Sequence, residues 1–271
     1  MDFGQFADYH MHTPLCRHAN GEPIEYAKFA FETGLSEIGF SDHSPAKEDN
    51  FDDWRMLISE FPEYIKSVQN AKSGVPEISV KLGLEIDYFE KEHKWIEELS
   101  SMADFDYLIG SVHYIAPGFD IDNPKWIGKW SGLAEVEEIW TSYWQIYTSC
   151  ARSGLFDLLA HPDLPKKFGH RPEGDLRRFY EPVIQAALET DTAIEINTAG
   201  WRKECAEQYP ERDFLEMMHS AGLPISISSD AHAPEDVGMH FKEAASLISE
   251  IGFTHTVRFD NRTRTEMPFS I

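Results

Sequence analysis

A chain of 271 residues with 42% hydrophobic side chains can bury a sizeable core, which excludes a disordered protein and sits within the range of one α/β barrel. A net charge of −23, from 47 acidic and 24 basic side chains, repels phosphate backbones and argues against nucleic acid as a partner. Three cysteines without CxxC spacing (Cys16, Cys150, Cys205) argue against a disulfide-stapled fold, and neither a leader-like N-terminus nor a run near the ~18 apolar residues of a membrane span is present, so a cytoplasmic protein with no membrane partner is expected.

Short apolar runs alternate with longer amphipathic ones. In chain order they predict strand 5–10, helix 23–33, strand 37–41, helix 54–72, strand 78–86, helix 91–102 and strand 107–113. Helix 134–152, strand 156–161, helix 176–189, strand 193–197, helix 213–220, strand 224–229 and helix 241–251 follow. Gly34, Gly154, Gly222 and Gly252 stand just past four of the helical patterns, where a left-handed residue ends a helix. The repetition implies parallel strands joined by crossover helices, in one domain spanning 1–271. Seven strands rather than eight make such a barrel irregular or incomplete.

Histidines and carboxylates accumulate at the ends of these strands. His10 closes the first, His12 follows two residues on, and His18 six residues later. Residues two apart in an extended segment point to one side, so both early imidazoles can face one ion. Asp42 and His43 follow the second strand, as ligands, as the orienter of a ligand, or in Asp42's case as a turn cap. Glu85 lies near the end of an apolar strand, where a carboxylate needs a partner: two shared cations, or an arginine in a structural ion pair. His113, His161, Asp230 and His232 complete the set. Any one of these histidines alone reads as a satisfied core residue; their common register at the barrel's C-terminal face reads as a metal centre. His93, His170, His219, His240 and His255 fall on helices, in a loop or after the last helix and receive no role.

The joint pattern HxH…H, SDH, Glu with later histidines, and DAH, running from His10 to His232, resembles the PHP (polymerase and histidinol phosphatase) superfamily of metal-dependent phosphoesterases. The resemblance implies a distorted (β/α)7 TIM-like barrel with three divalent metal ions, zinc, iron or manganese. It implies His10, His12, Glu85 and Asp230 around one ion, Glu85, His113 and His161 around a second, and His18, His43 and His232 around a third. It also implies a hydroxide shared between metals as the attacking group. Asp42 and His232 are candidates to assist the departing alkoxide, and Asp230 counts among the catalytic groups as well as the ligands.

A phosphomonoester carries charge beyond what the metals contact, so a cationic clamp is expected. Arg202, after the one strand end without a metal ligand, is the first candidate; Lys166, Arg171 and Arg17 are the others. Segments Gly83–Tyr88, Gly110–Tyr114, His161–Gly169 and Ile196–Lys203 resemble stand-alone histidinol-phosphate phosphatases, which implies L-histidinol phosphate as substrate. The aromatics Phe119, Trp126 and Trp130 of the loop 115–132 are expected to cover its imidazole. Competing expectations are a phosphodiesterase or exonuclease on short nucleic acids, and a phosphatase for another monoester, phosphotyrosine included. A non-catalytic metal module is disfavoured by the complete ligand set, and a zinc amidohydrolase by the missing strand-end lysine.

Overall fold

The computed structural model describes residues 3–271. Its strands are β1 (Ala7–Asp8), β2 (Glu37–Phe40), β3 (Ser79–Leu82), β4 (Glu85–Asp87), β5 (Ile109–Ser111), β6 (Tyr114–Ala116), β7 (Phe119–Asp120), β8 (Leu158–Leu159), β9 (Ala193–Asn197), β10 (Ile225–Ser228), β11 (His255–Asp260) and β12 (Thr263–Pro268). The helices are α1 (Pro23–Thr33), α2 (Phe61–Gly74), α3 (His93–Ser100), α4 (Leu133–Ser153), α5 (Arg177–Thr190), α6 (Arg212–Ala221) and α7 (Phe241–Ile251). Among the described residues no helix is long and apolar enough to cross a membrane.

Two parallel sheets, ordered β1-β2-β3 and β10-β9-β8-β5-β4, form the wall of the barrel. Isolated backbone bridges join them where the strands end. On one side Glu85 N–H donates to Asp42 and Ser44 N–H to Glu85; on the other His12 N–H donates to Ala231 and Ala231 N–H to His10. These bridges tie the two sheets together at the rim that carries the candidate ligands.

The expected strand 78–86 is split into β3 and β4. Gly83 sits at the break because the Tyr107 ring lies against its backbone, 2.3 Å from where a Cβ would stand, and only glycine leaves that room. The expected helix 54–72 begins later, at Phe61. Pro62 stands in the first turn of this helix, where its missing N–H has no intrahelical partner to lose, and a 3-10 turn at Ile58–Glu60 precedes it, with the Glu60 carboxylate accepting Leu57 N–H at 2.8 Å.

The aromatic face of α4 holds the site strands in place. Tyr143 donates to the carbonyl of His161 at 3.2 Å and Tyr147 to that of Ala160 at 2.8 Å, so buried rings orient the end of β8. The sequence pattern did not announce the hairpin β11-β12. Val257 and Phe259 close the opposite end of the barrel against Ala7, Tyr9, Tyr107, Ile109, Leu158, Ala160 and Ala193. Asn261 and Arg262, both left-handed, make its turn.

Candidate metal centre

His10 and His12 follow β1 and are buried at the cluster, while Met11 between them packs into the hydrophobic core. A 3-10 turn at Pro14–Cys16, capped by the Thr13 hydroxyl and closed by left-handed Arg17, brings His18 back over them, with His18 Nδ1 2.7 Å from the Cys16 carbonyl. His43 follows β2, Glu85 opens β4, His113 follows β5, and His161 and Asp230 follow β8 and β10 with positive φ of 23° and 52°. Buried Asp8 secures the last of these turns, accepting Ser229 N–H at 2.9 Å and Gly238 N–H at 3.0 Å; burial pushes its pKa up to about 6.

All nine expected ligands converge. The fully buried Glu85 carboxylate faces five imidazoles: Oε2 is 2.7 Å from His43 Nδ1, 3.4 Å from His10 Nε2 and 3.8 Å from His12 Nε2. Oε1 is 3.1 Å from His161 Nε2 and 3.8 Å from His113 Nε2. Asp230 Oδ1 stands 3.2 Å from His12 Nε2 and 3.9 Å from His10 Nε2. The His12 ring lies 4.1 Å from that of His232 and 4.3 Å from that of His43. Donor atoms of His10, His12 and Glu85, of His43, Glu85 and His113, and of His18, His43 and His232 lie in each case within 4.8 Å of one another.

Electrostatics pull these groups in opposite directions. Burial drives His43 down to about 4 and His232 well below the usual histidine range. Burial opposes charge on His10, His12 and His113 too, but carboxylates outweigh it: Glu195 and Asp230 raise His10, Asp230 and Asp42 raise His12 to about 9, and Asp87 raises His113 to about 9. Burial alone would raise Glu85, yet His43 and His10 hold it well below the carboxylate range. Glu85 Oε2 and His10 Nε2, though close to potential partners, make no hydrogen bond among the described residues. Buried donor atoms in van der Waals reach but outside hydrogen-bond geometry, contributed by imidazoles and carboxylates, fit divalent cations better than protons.

Carboxylates behind the cluster aim the imidazoles. Asp87 Oδ1 lies 2.9 Å from His113 Nδ1 while its other oxygen accepts Arg55 at 2.8 Å. Asp42 Oδ1 lies 3.3 Å from His12 Nδ1, and its carboxylate also accepts the Thr13 and His43 backbone N–H groups. Asp42 is thus buried behind His12 and does not line the cavity, which corrects its expected part at the leaving group; Asp230 and His232 do line it.

The cavity over the cluster measures about 310 Å³, with Lys167, Arg202 and Lys203 in its wall together with Asp122, Asp236 and Tyr209. Arg202 Nη2 donates to the carbonyls of Ser229 (2.8 Å) and Asp230 (3.1 Å), and its Nη1 makes no hydrogen bond among the described residues. The other three expected phosphate contacts lie elsewhere. Lys166 is completely buried, 2.9 Å from Asp163 and 3.0 Å from Glu207, and donates to the Gln208 carbonyl at 2.6 Å. Arg171 pairs with Glu207 and Glu211, and Arg17 with Glu60. The short 3-10 turn Leu164–Phe168 turns the neighbouring lysines to different sides, so that Lys167 takes the cavity position. Of the loop 115–132 only Asp122 lines the cavity. Phe119 packs on Trp126, and Trp130 is buried against His170, so those rings do not cover it.

Lys166→Met should therefore act on stability. It strands the Asp163 carboxylate in the interior, and unfolding in urea should show a loss of about 3 kcal/mol. An unchanged midpoint with a raised KM would instead make Lys166 a substrate contact.

Lys203, Asp87 and Glu195 were not singled out from the sequence. Glu195 carries the signal that marked Glu85, a lone carboxylate inside an apolar strand.

Comparison with known proteins agrees with this geometry. A family model described as PHP domain matches residues 8–199. A Deinococcus radiodurans protein named "Probable histidinol-phosphatase" is 38% identical over 256 residues, covering 94% of this chain and 96% of its own. The Bacillus subtilis histidinol-phosphatase is 26% identical, covering 88% of this chain and 97% of its own. The crystal structure of histidinol phosphate phosphatase from Lactococcus lactis, complexed with zinc, L-histidinol and phosphate, superposes with a TM-score of 0.82 at 21% identity, covering 96% of this chain and 99% of that one. By family match and near full-length similarity, the chain belongs to the PHP domain family.

Proposed function

We propose that this protein is a divalent-metal-dependent phosphatase that hydrolyses L-histidinol phosphate to L-histidinol and phosphate. The observation that carries the reading is one small cavity over a cluster of seven imidazoles and two carboxylates, of which His10, His12, His43, His113, His161 and Glu85 are buried, with three cations in its wall. The names of the relatives supply the organic part of the substrate.

His10, His12, Glu85 and Asp230 would hold one ion, Glu85, His113 and His161 a second, and His18, His43 and His232 a third, with zinc, iron or manganese suited to such mixed donors. Bound there, the metals would supply an activated water and neutralise the phosphoryl oxygens. The chain's own groups do the rest. Asp42 and Asp87 fix the orientation of His12 and His113. Arg202, with Nη2 held by two carbonyls, is an anchored cation in the cavity wall for a phosphate oxygen, and Lys167 and Lys203 add positive charge on the same wall. Asp230 and His232 face the cavity where the departing alkoxide takes its proton.

A cavity of about 310 Å³ admits a small monoester and leaves little room for a polynucleotide, and the net charge of −23 disfavours one. With zinc-loaded protein, kcat/KM should be higher for L-histidinol phosphate than for p-nitrophenyl phosphate or bis(p-nitrophenyl) phosphate by at least roughly 10²-fold, about 2.7 kcal/mol. A diester preferred over every monoester would sink this reading.

A further inference from the structure

Strand β9 places no residue among the nine ligands, yet a carboxylate sits in its middle. Glu195 is fully buried between Ile194 and Ile196, and its side chain points at the cluster. Its two oxygens serve three nitrogens from three places in the chain. Oε1 lies 2.8 Å from His10 Nδ1; Oε2 accepts His161 N–H at 2.8 Å and Asn197 Nδ2 at 3.0 Å. The same Asn197 nitrogen reaches Asp230 Oδ2 at 3.1 Å. One carboxylate therefore touches His10 and His161 directly and Asp230 through one amide.

Two of those three residues have unfavourable backbones. His161 has φ of 23° and Asp230 has φ of 52°, conformations that cost energy in a non-glycine residue and persist only when the surroundings enforce them. For His161 the enforcing bond is visible, since its own N–H donates to Glu195. At His10 the constraint concerns the proton. A carboxylate only accepts, so the nitrogen facing it must carry hydrogen, and the lone pair is left at Nε2. That nitrogen points to Glu85 Oε2 at 3.4 Å and makes no hydrogen bond among the described residues.

We infer that Glu195 is a positioning residue for the metal centre: it fixes the Nε2-ligating tautomer of His10 and holds the His161 backbone in its left-handed turn. This rests on the reading that the cluster binds divalent metal and is independent of which ester is cleaved. Carboxylates behind metal-bound histidines typically influence metal affinity by 10–100-fold. Here one carboxylate supports ligands from three strand ends, so its influence should reach at least the lower end of that range.

Glu195→Gln separates this role from simple packing, because it keeps the shape and changes only what the oxygens can do. The side-chain amide accepts at one oxygen and donates at the other end. If its NH2 faces His10, Nδ1 must become the acceptor, the proton moves to Nε2, and the ligand lone pair is lost. If its NH2 faces His161 N–H and Asn197, donors oppose donors. Neither orientation satisfies all three partners.

Chelator competition with zinc alone should show the tightest-bound zinc of Glu195→Gln weakened by at least tenfold, with circular dichroism like that of wild type. Nitrogen-15 NMR of the histidine rings in zinc-loaded wild type should show His10 with its proton on Nδ1 and its metal on Nε2. Zinc affinity within about twofold of wild type in a folded Glu195→Gln protein would overturn the proposal. So would coordination of His10 through Nδ1 in wild type, a result that decides even if the variant does not fold. Failure of wild type itself to retain zinc would bring down the metal reading on which the proposal rests.

Discussion

Glu85→Ala should leave the protein unable to keep its metals and lower kcat by at least roughly 10³-fold, about 4 kcal/mol. Five imidazole nitrogens stand within 4 Å of this carboxylate, shared between its two oxygens. Removing it takes the common anion from between sets of ligands that belong to different candidate ions. His18→Ala is the comparison. Among the described residues His18 groups as a donor with His43 and His232, on the outer side of the cluster, so most metal should remain. Metal analysis of both variants after identical loading reads the difference. Full metal content and near-normal turnover in Glu85→Ala would make Glu85 a structural residue.

Arg202→Ala should spare the metals and weaken the phosphate. Its Nη2 is already occupied by two backbone carbonyls, so the side chain is anchored before substrate arrives and loses little freedom on contact. A charge-assisted bond to phosphate from such a donor should account for about 10²-fold in kcat/KM, or about 2.7 kcal/mol. Metal content should match wild type, and inorganic phosphate should inhibit the variant less. Wild-type kinetics would shift the clamp to Lys167 and Lys203, the remaining cations of the cavity wall.

The ligand set was legible because a hydrophobic core gives no reason for imidazoles to recur at successive strand ends, and a parallel barrel turns that one-dimensional recurrence into a point in space. What lay behind the ligands was harder to read. Asp87 shares its strand with Glu85 and Glu195 is the one carboxylate of its own, and only the folded register shows that each faces the Nδ1 of a histidine from another part of the chain. Of the expected cations Arg202 lines the cavity, whereas Lys166, Arg171 and Arg17 pair with carboxylates away from it. A 3-10 turn rotates side chains by a third of a turn per residue, which buries Lys166 with Asp163 and presents Lys167 to the cavity. The hairpin β11-β12 was missed because it follows the last helix with no crossover to announce it; its apolar pair Val257 and Phe259 reads as ordinary tail until the barrel floor is seen.

If this cluster is a metal centre, hydrolysis depends on the divalent ions its residues would hold. The most direct measurement is phosphate release from L-histidinol phosphate by protein stripped of metal with a chelator, then again as zinc is returned in counted equivalents. The stripped protein should show background turnover, and activity should rise with bound zinc. Undiminished turnover in protein shown by elemental analysis to be metal-free would contradict it.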